Sequence, residues 1–514
     1  LTTRLPRSTP SATGLDPAAI ERLLAGLDRL SHPHAVMVLH RGSVVAEAAW
    51  APYELESPHL TFSVSKSFTA TAIGFAIDEG LLALDDRVVD LLPDAAPEQP
   101  SANLSAMRLR HLLTMTTGHA ADSMPAVDDD GSWAGALLAV PVEHEPGSRF
   151  VYDTGATYLL SAILRRVTGT GLLEFLGPRL FEPLGIDGAR WERDPEGIEV
   201  GGFGLSVSIE AMAKLGELYR LRGRWGDRRL LSEAWVDAAT AAQVPNGPTD
   251  GGDWAEGYGF QFWRCRYGAY RADGAFGQFI VVWPERELVV AITAGIADMR
   301  EELEVVWDAF GATARERSAV DDRDGGDGGD GGDGDGSGSG DGGAADATRL
   351  GPGRVLPWDD GLAESPLEAE VLGVEYAVDA AGAADAADPA DLADPAFGLE
   401  CVAIRRDDDG RLVLRLDRAG TSTEVVAGNR EWVTGALRMG PFPEPEPIAA
   451  SAAWVGDHVL LVRIHSLETP FAWSIEVSFA ADASSVRLVV DQNVSFDDPR
   501  RFRGTLRAVP ARTR

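Results

Sequence analysis

The sequence predicts an α+β domain, then a flexible tether, then a small all-β domain. Three observations predict it. Up to residue 320 helical and strand patterns are mixed, with helices held between early and late strands; residues 321–347 contain no large apolar side chain; and from 348 to 514 short alternating segments are separated by Gly, Asp, Asn and Pro. That order of elements argues against a doubly wound parallel sheet.

The first element is a hairpin, with apolar runs at Ala35–Leu39 and Ser43–Ala49 joined by Arg41-Gly42. The stretch from Ser63 to Glu79, SVSKSFTATAIGFAIDE, is largely apolar and reads as a buried helix ended by Gly80 as its C-cap. Further helices are predicted at Ala156–Val167, after a turn at Asp153, and at Ile209–Leu221. Strands are predicted at Gly259–Arg264, Gln278–Trp283 and Leu288–Thr293, the last two linked by Pro284-Glu285-Arg286. The Gly/Asp segment 321–347 cannot bury enough surface to offset its ordering entropy, and its charges repel, so it reads as an extended linker. Calcium-binding Gly/Asp repeats need a large apolar residue in each turn, which this segment lacks. Beyond it, Arg411–Leu416, His458–His465, Phe471–Phe479 and Val486–Asp491 predict a small antiparallel barrel or sandwich. His458 and His465 stand alone there and read as solvated or satisfied strand histidines.

Composition narrows the function. The chain has 514 residues, of which 45% are hydrophobic, so disorder of the whole is excluded and each part can bury a core. Lys+Arg number 46 against Asp+Glu 80, a net charge of −34, which argues against nucleic acid or an anionic membrane surface as partner. Two cysteines, Cys265 and Cys401, cannot make a disulfide framework or a cysteine zinc site. No run of about eighteen apolar residues occurs, so membrane insertion is not expected. Leu1–Pro10 lack the charged-then-apolar signal pattern, which points to the cytoplasm; a first residue of Leu leaves a removed leader and a secreted mature form open. The only lysines are Lys66 and Lys214. Lys214, mid-helix in AMAKLGELY, is expected to snorkel to the surface.

The G-x-S-x-G elbow, H-E-x-x-H, the Walker loop and the dinucleotide glycine fingerprint are all missing. His32 and His34, around Pro33, read as structural or exposed rather than as metal ligands. What remains is Ser63-Val64-Ser65-Lys66, an S-x-x-K tetrad opening an apolar helix. Residues i and i+3 share a helical face, so the Ser63 hydroxyl and the Lys66 amine can meet. A partly buried lysine loses its proton more readily and can activate the hydroxyl. Arginine could not, so a lysine kept here in an arginine-rich chain fits a base. The helix N-terminus supplies N–H groups for an oxyanion.

The sequence resembles the serine β-lactamase superfamily, in particular the branch of class C β-lactamases, D-alanyl-D-alanine carboxypeptidases, D-aminopeptidases, esterases and nylon-oligomer amidases. The resemblance runs from about Ser31 to about Phe310. It rests on F-S-V-S-K-S-F at Phe62–Phe68, L-L-T-M-T-T-G at Leu112–Gly118, P-G-S-R-F-V-Y-D-T-G at Pro146–Gly155 and A-D-G-A-F-G-Q at Ala272–Gln278. It implies an antiparallel sheet with flanking helices and a helical lobe, followed here by a barrel-like accessory domain that covers the cleft or binds a partner.

The resemblance also implies the roles. Ser63 is the acylated nucleophile, Lys66 its partner, and Tyr152 the tyrosine of a Y-x-N motif, its phenol lowered by the neighbouring cation and coupled to Lys66. Either of the two can take the Ser63 proton. The oxyanion hole is expected from the backbone N–H groups of Ser63 and Phe276, with Gly274 and Ala275 letting the strand approach the substrate. Trp133, Trp254, Tyr258 and Trp263 flank the motifs and are candidates for an acyl pocket.

Two positions depart from the family pattern. Thr154 stands where Y-x-N has Asn, which places hydrogen bonding to the substrate and to Lys66 in question. Asp273 begins the Asp273-Gly274-Ala275 segment where K-T-G or H-x-G has a cation, and a substrate carboxylate 4 Å away would be repelled by about 4 kcal/mol at an effective dielectric near 20. The expected activity is a serine hydrolase acting on a small ester, amide or peptide through an acyl-enzyme, with neither metal nor organic cofactor, and with esters or D-amino-acid amides preferred to β-lactams. The alternative is a non-catalytic sensor or binding protein on the same fold.

Overall fold

Arg41 and Gly42 both take positive φ (53° and 81°), the two-residue turn that matches strand twist, and so close the first hairpin as the sequence predicts. The computed structural model describes residues 4–127, 131–247, 252–311, 354–356, 361–362, 364–378, 398–418, 420–438, 445–496 and 500–509. The predicted linker, 321–347, lies outside the described residues.

The first domain comprises α1 (Pro17–Leu27), β1 (Pro33–His40), β2 (Ser43–Ala49), α2 (Ser65–Asp78), α3 (Thr154–Thr168), α4 (Ile209–Arg220), β3 (Trp263–Arg264), β4 (Tyr270–Gly274), β5 (Gln278–Trp283), β6 (Leu288–Ala294) and α5 (Met299–Phe310), with shorter helices between them. The strands form one six-stranded antiparallel sheet in the order β2-β1-β6-β5-β4-β3. Alternate side chains divide the sheet's faces. Val36, Val38, Phe279, Val281 and Val290 pack with Leu23 and Leu27 of α1 and Val306 and Phe310 of α5. Met37, Leu39, Ile280, Val282 and Val289 face the helical lobe. Helix α4 lies close on that face because Gly216 has no side chain: a Cβ there would stand 2.6 Å from Val289 and 2.7 Å from Ile280.

The predicted strand at Gly259–Arg264 shortens to Trp263–Arg264. Gln261 turns to φ 63° and spends its amide on the carbonyls of Leu112 and Leu113 (3.1 and 3.0 Å), so the chain bends where a strand was expected. Lys214 does not reach solvent as expected: it is buried, donates to the Gly185 carbonyl (3.0 Å) and pairs with Glu210 (3.3 Å), because the chain at Gly185 covers that side of α4.

The second domain contains β7 (Glu375–Val378), β8 (Leu399–Arg406), β9 (Leu412–Arg418), β10 (Thr421–Asn429), β11 (Val433–Leu437), β12 (Glu446–Trp454), β13 (Val459–Ser466), β14 (Ala472–Phe479), β15 (Ser485–Gln492) and β16 (Arg500–Ala508). They pair in the order β10-β9-β8-β7-β16-β15-β14-β13-β12-β11, and a parallel β10–β12 contact closes nine of them into a barrel, with β11 outside the ring. Inward residues such as Val462, Ile464, Ile475, Val477, Leu488 and Val490 fill it. The barrel docks on the first domain: Leu60 N–H donates to the Glu468 carbonyl (2.7 Å), Tyr53 bonds His465 (3.2 Å), and Asn493 donates to the Gly295 carbonyl (2.9 Å). Among the described residues no helix is long and apolar enough to cross a membrane.

Candidate active site

Helix α2 is preceded by a single 3-10 turn, Phe62–Val64, entered through Phe62 at φ 46°. That left-handed residue is costly for a phenylalanine, and it aims Ser63 out of the helix start into a cavity of about 520 Å³. One turn on, Lys66 is buried, its Nζ 3.0 Å from Ser63 Oγ, 2.7 Å from the Gly202 carbonyl and 3.4 Å from Thr154 Oγ1. The Gly202 carbonyl is the near partner of Lys66, and Thr154, at the position where Y-x-N has Asn, is a more distant one. Gly202 permits this approach: a Cβ there would lie 2.8 Å from Thr154 Cγ2 and 3.7 Å from Lys66 Nζ. Burial pushes the Lys66 amine down to about 7, against the pull of Asp122, Asp153 and Asp273.

Tyr152 stands just before α3 and lines the cavity with Ser63, with Lys66 Nζ 4.9 Å from its ring centre and Trp263 stacked at 5.4 Å. Its phenol does not shift down as expected. Burial pushes it above its ordinary value, and the charges of Asp273 and Asp122 add to the rise, so the lysine and not the tyrosine is the group poised near neutrality. The next residue, Asp153, is buried. Burial would raise it, but hydrogen bonds from His119 (2.9 Å) and Ser123 (2.7 Å) hold its carboxyl below the ordinary range and fix the start of α3.

Strand β4 brings Asp273, Gly274 and Ala275 against the Ser63 turn. A Cβ on Gly274 would fall 2.2 Å from the Thr61 carbonyl and 3.2 Å from the Val64 nitrogen, so only glycine allows the strand this close. Phe276 (φ 67°) and Gly277 (φ 94°) turn the chain into β5, and the Phe276 carbonyl accepts from Ile296 N–H (3.0 Å). Asp273 is not the bare charge expected from the sequence. Arg271, wholly buried, grips it through Nε (2.9 Å) and Nη2 (2.8 Å), and the guanidinium lies 4.5 Å from the Trp254 ring centre. Burial pushes the Asp273 carboxyl up and Arg271 opposes this. The pair is close to neutral, so the repulsion of about 4 kcal/mol between free charges largely disappears.

Of the predicted residues, Ser63, Tyr152, Thr154, Trp254, Trp263, Asp273 and Ala275 line the cavity. Lys66 and Gly274 lie immediately behind it. Tyr258 is buried one layer further back, against Tyr152 and Trp263. Trp133 packs on Tyr158 (5.4 Å) away from the lining, a core aromatic and not a pocket wall. The lining also contains Asp122, Met124, Phe203 and Phe496, which the sequence reading did not identify. Asp122 accepts from the N–H groups of Met124 (3.0 Å) and Thr154 (2.9 Å), and burial raises its carboxyl. No lysine or arginine is among the described residues that line the cavity. No three described His, Cys, Asp or Glu side chains gather in a way that could hold a metal ion.

Known proteins resemble this chain in sequence. A family model described as beta-lactamase matches residues 28–308. The 6-aminohexanoate-dimer hydrolase of Paenarthrobacter ureafaciens is 26% identical over 278 residues, which cover 50% of this chain and 71% of that one. A D-aminopeptidase of Brucella anthropi is 29% identical over 166 residues, 30% of this chain and 31% of its own length. Among solved structures, an octameric penicillin-binding protein homologue from Pyrococcus abyssi aligns over 91% of this chain and 96% of its own, at 16% identity and a TM-score of 0.45.

Proposed function

The chain belongs to the β-lactamase family, and from that premise we propose that it is a serine hydrolase that opens an ester or amide bond through an acyl-enzyme on Ser63. The observation that carries this reading is the 3.0 Å contact between Ser63 Oγ, which lines the cavity, and the buried Lys66 Nζ behind it. A neutral lysine donates to the Gly202 carbonyl and keeps its lone pair for the Ser63 proton. As Oγ adds to the substrate carbonyl, Lys66 takes that proton, and the backbone N–H groups of Ser63 and Phe276 receive the oxyanion. Tyr152 keeps its proton at neutral pH, so it serves as the acid for the departing alcohol or amine and is reprotonated from Lys66. Water then releases the acyl group by the reverse path.

The preference for neutral esters and amides rests on different physics from repulsion by Asp273. With Arg271 spent on Asp273, a substrate carboxylate meets Asp122 and aromatic walls, and no described lysine or arginine lines the cavity. It would lose hydration without gaining a partner. A panel of a short p-nitrophenyl ester, a D-amino-acid p-nitroanilide and a chromogenic cephalosporin tests this. Esters or anilides are expected to turn over with kcat/KM at least about 100-fold above the cephalosporin. Equal or faster cephalosporin turnover would contradict the reading.

A further inference from the structure

We propose that the barrel domain supplies a specificity-determining residue to the hydrolase site: Phe496, which forms an apolar subsite for a bulky hydrocarbon or aryl group next to the scissile bond. The inference rests on the acyl-enzyme reading above. Phe496 follows β15 in sequence, yet it lines the cavity that holds Ser63. Its ring centre lies 4.7 Å from that of Phe276 and 5.7 Å from that of Phe62, the residues that flank the oxyanion strand and the nucleophile. Those two neighbours are 8% and 9% exposed, whereas Phe496 is 72% exposed. A large aromatic face is thus left open beside two buried rings, and an apolar substrate group is what would cover it.

The segment that carries Phe496 is anchored. Asn493 donates its N–H to the Ala472 carbonyl (3.0 Å), accepts from Ala472 N–H (2.7 Å), and donates its amide to the carbonyls of Pro470 (2.8 Å) and Gly295 (2.9 Å). Val494 is buried in the barrel core. Gly295 makes the cross-domain bond possible, since a Cβ there would lie 2.5 Å from Asn493 Nδ2. The next residue, Ile296, donates to the Phe276 carbonyl, so the anchor and the oxyanion strand share one short stretch of chain. The barrel therefore fixes one wall of the site.

The test compares the full chain with Phe496→Ser and Phe496→Leu on p-nitrophenyl acyl esters from acetate to octanoate and on acetates of small and aryl alcohols. An exposed ring can be replaced without loss of folding. The expected result is a preference for the larger apolar group in one of the two series, a fall of about 10-fold in that selectivity for Phe496→Ser, and recovery of most of it in Phe496→Leu. Calorimetric binding of neutral amides of increasing apolar size to Ser63→Ala and to Ser63→Ala/Phe496→Ser reads the subsite without catalysis, with the same 10-fold difference expected. Ester hydrolysis with size selectivity unchanged by Phe496→Ser would overturn the inference and leave the hydrolase reading standing. Size-dependent amide binding through Phe496 without ester turnover would uphold the subsite and overturn the hydrolase reading.

Discussion

Lys66 Nζ sits 3.0 Å from Ser63 Oγ and is buried, so the proposed base lies inside the protein and the proposed nucleophile at the cavity surface. Removing the ammonium from water lowers its pKa to about 7. The neutral amine is the form that accepts a proton, and it is populated as pH rises through that value. The kcat/KM profile is therefore expected to climb through about pH 7. Lys66→Arg preserves the cation but not the titration, and it should lower kcat by about 10²–10⁴-fold. A Lys66→Arg enzyme with near-native kcat would exclude the lysine as base.

Tyr152 is expected to matter in proportion to the leaving group's need for a proton. For an amide, Tyr152→Phe should cost about 10²-fold or more in kcat; for a p-nitrophenyl ester, whose leaving group departs as the anion, less than about 10-fold. Equal losses on both substrates, measured under saturation, would show that the phenol does something other than protonate the leaving group.

Gly274→Ala should separate folding from catalysis. The new Cβ would begin 2.2 Å from the Thr61 carbonyl, so strand β4 or the Ser63 turn must move. A displacement of about 1 Å is enough for a loss of about 10²-fold in kcat. Far-UV circular dichroism should remain native, and full activity in this variant would mean that the strand and the turn need not be so close.

The seam between the domains is expected to weaken in acid. His34 bonds His59 (3.0 Å) and stacks on Tyr53 (3.6 Å), which in turn bonds His465; His32 lies beside them. Burial lowers all four histidines, His32 and His59 to about 4, and Arg463 adds to the fall at His32 and His465. A histidine held below its unfolded value of about 6.5 stabilises the fold fully above that pH and loses the contribution as pH falls toward about 4. Denaturation midpoints at pH 7, 5.5 and 4.5 should fall with a slope of up to about 1.4 kcal/mol per pH unit for each histidine involved. His34→Gln/His59→Gln should flatten that slope, and an unchanged slope would show that other groups carry it.

The parts of the site that were legible in the sequence are those set by local geometry. Ser63 and Lys66 sit three apart on one helix turn, and Gly80 ends that helix with positive φ (72°) where the helical pattern stops. Arg271 was legible in principle: it is two residues before Asp273 on a strand, hence on the same face. Burial was legible for helix α2 but not at Tyr152 or Lys214, which is why the direction of the Tyr152 shift and the fate of Lys214 came out opposite to expectation. Proximity in sequence also misled at Trp133, which lies near the motifs in the chain but packs on Tyr158. Asp122, Phe203 and Phe496 reach the cavity from separate segments, and the parallel β10–β12 pairing that closes the barrel leaves no mark on the alternating pattern of either strand.

The central claim, that Ser63 is the acylated nucleophile, is tested most directly by intact-mass and peptide mass spectrometry after exposure to a fluorophosphonate. One phosphonyl adduct is expected on Ser63 in the native chain, none in Ser63→Ala, and slower labelling in Lys66→Ala. An unlabelled native chain, or an adduct that persists in Ser63→Ala, would contradict it.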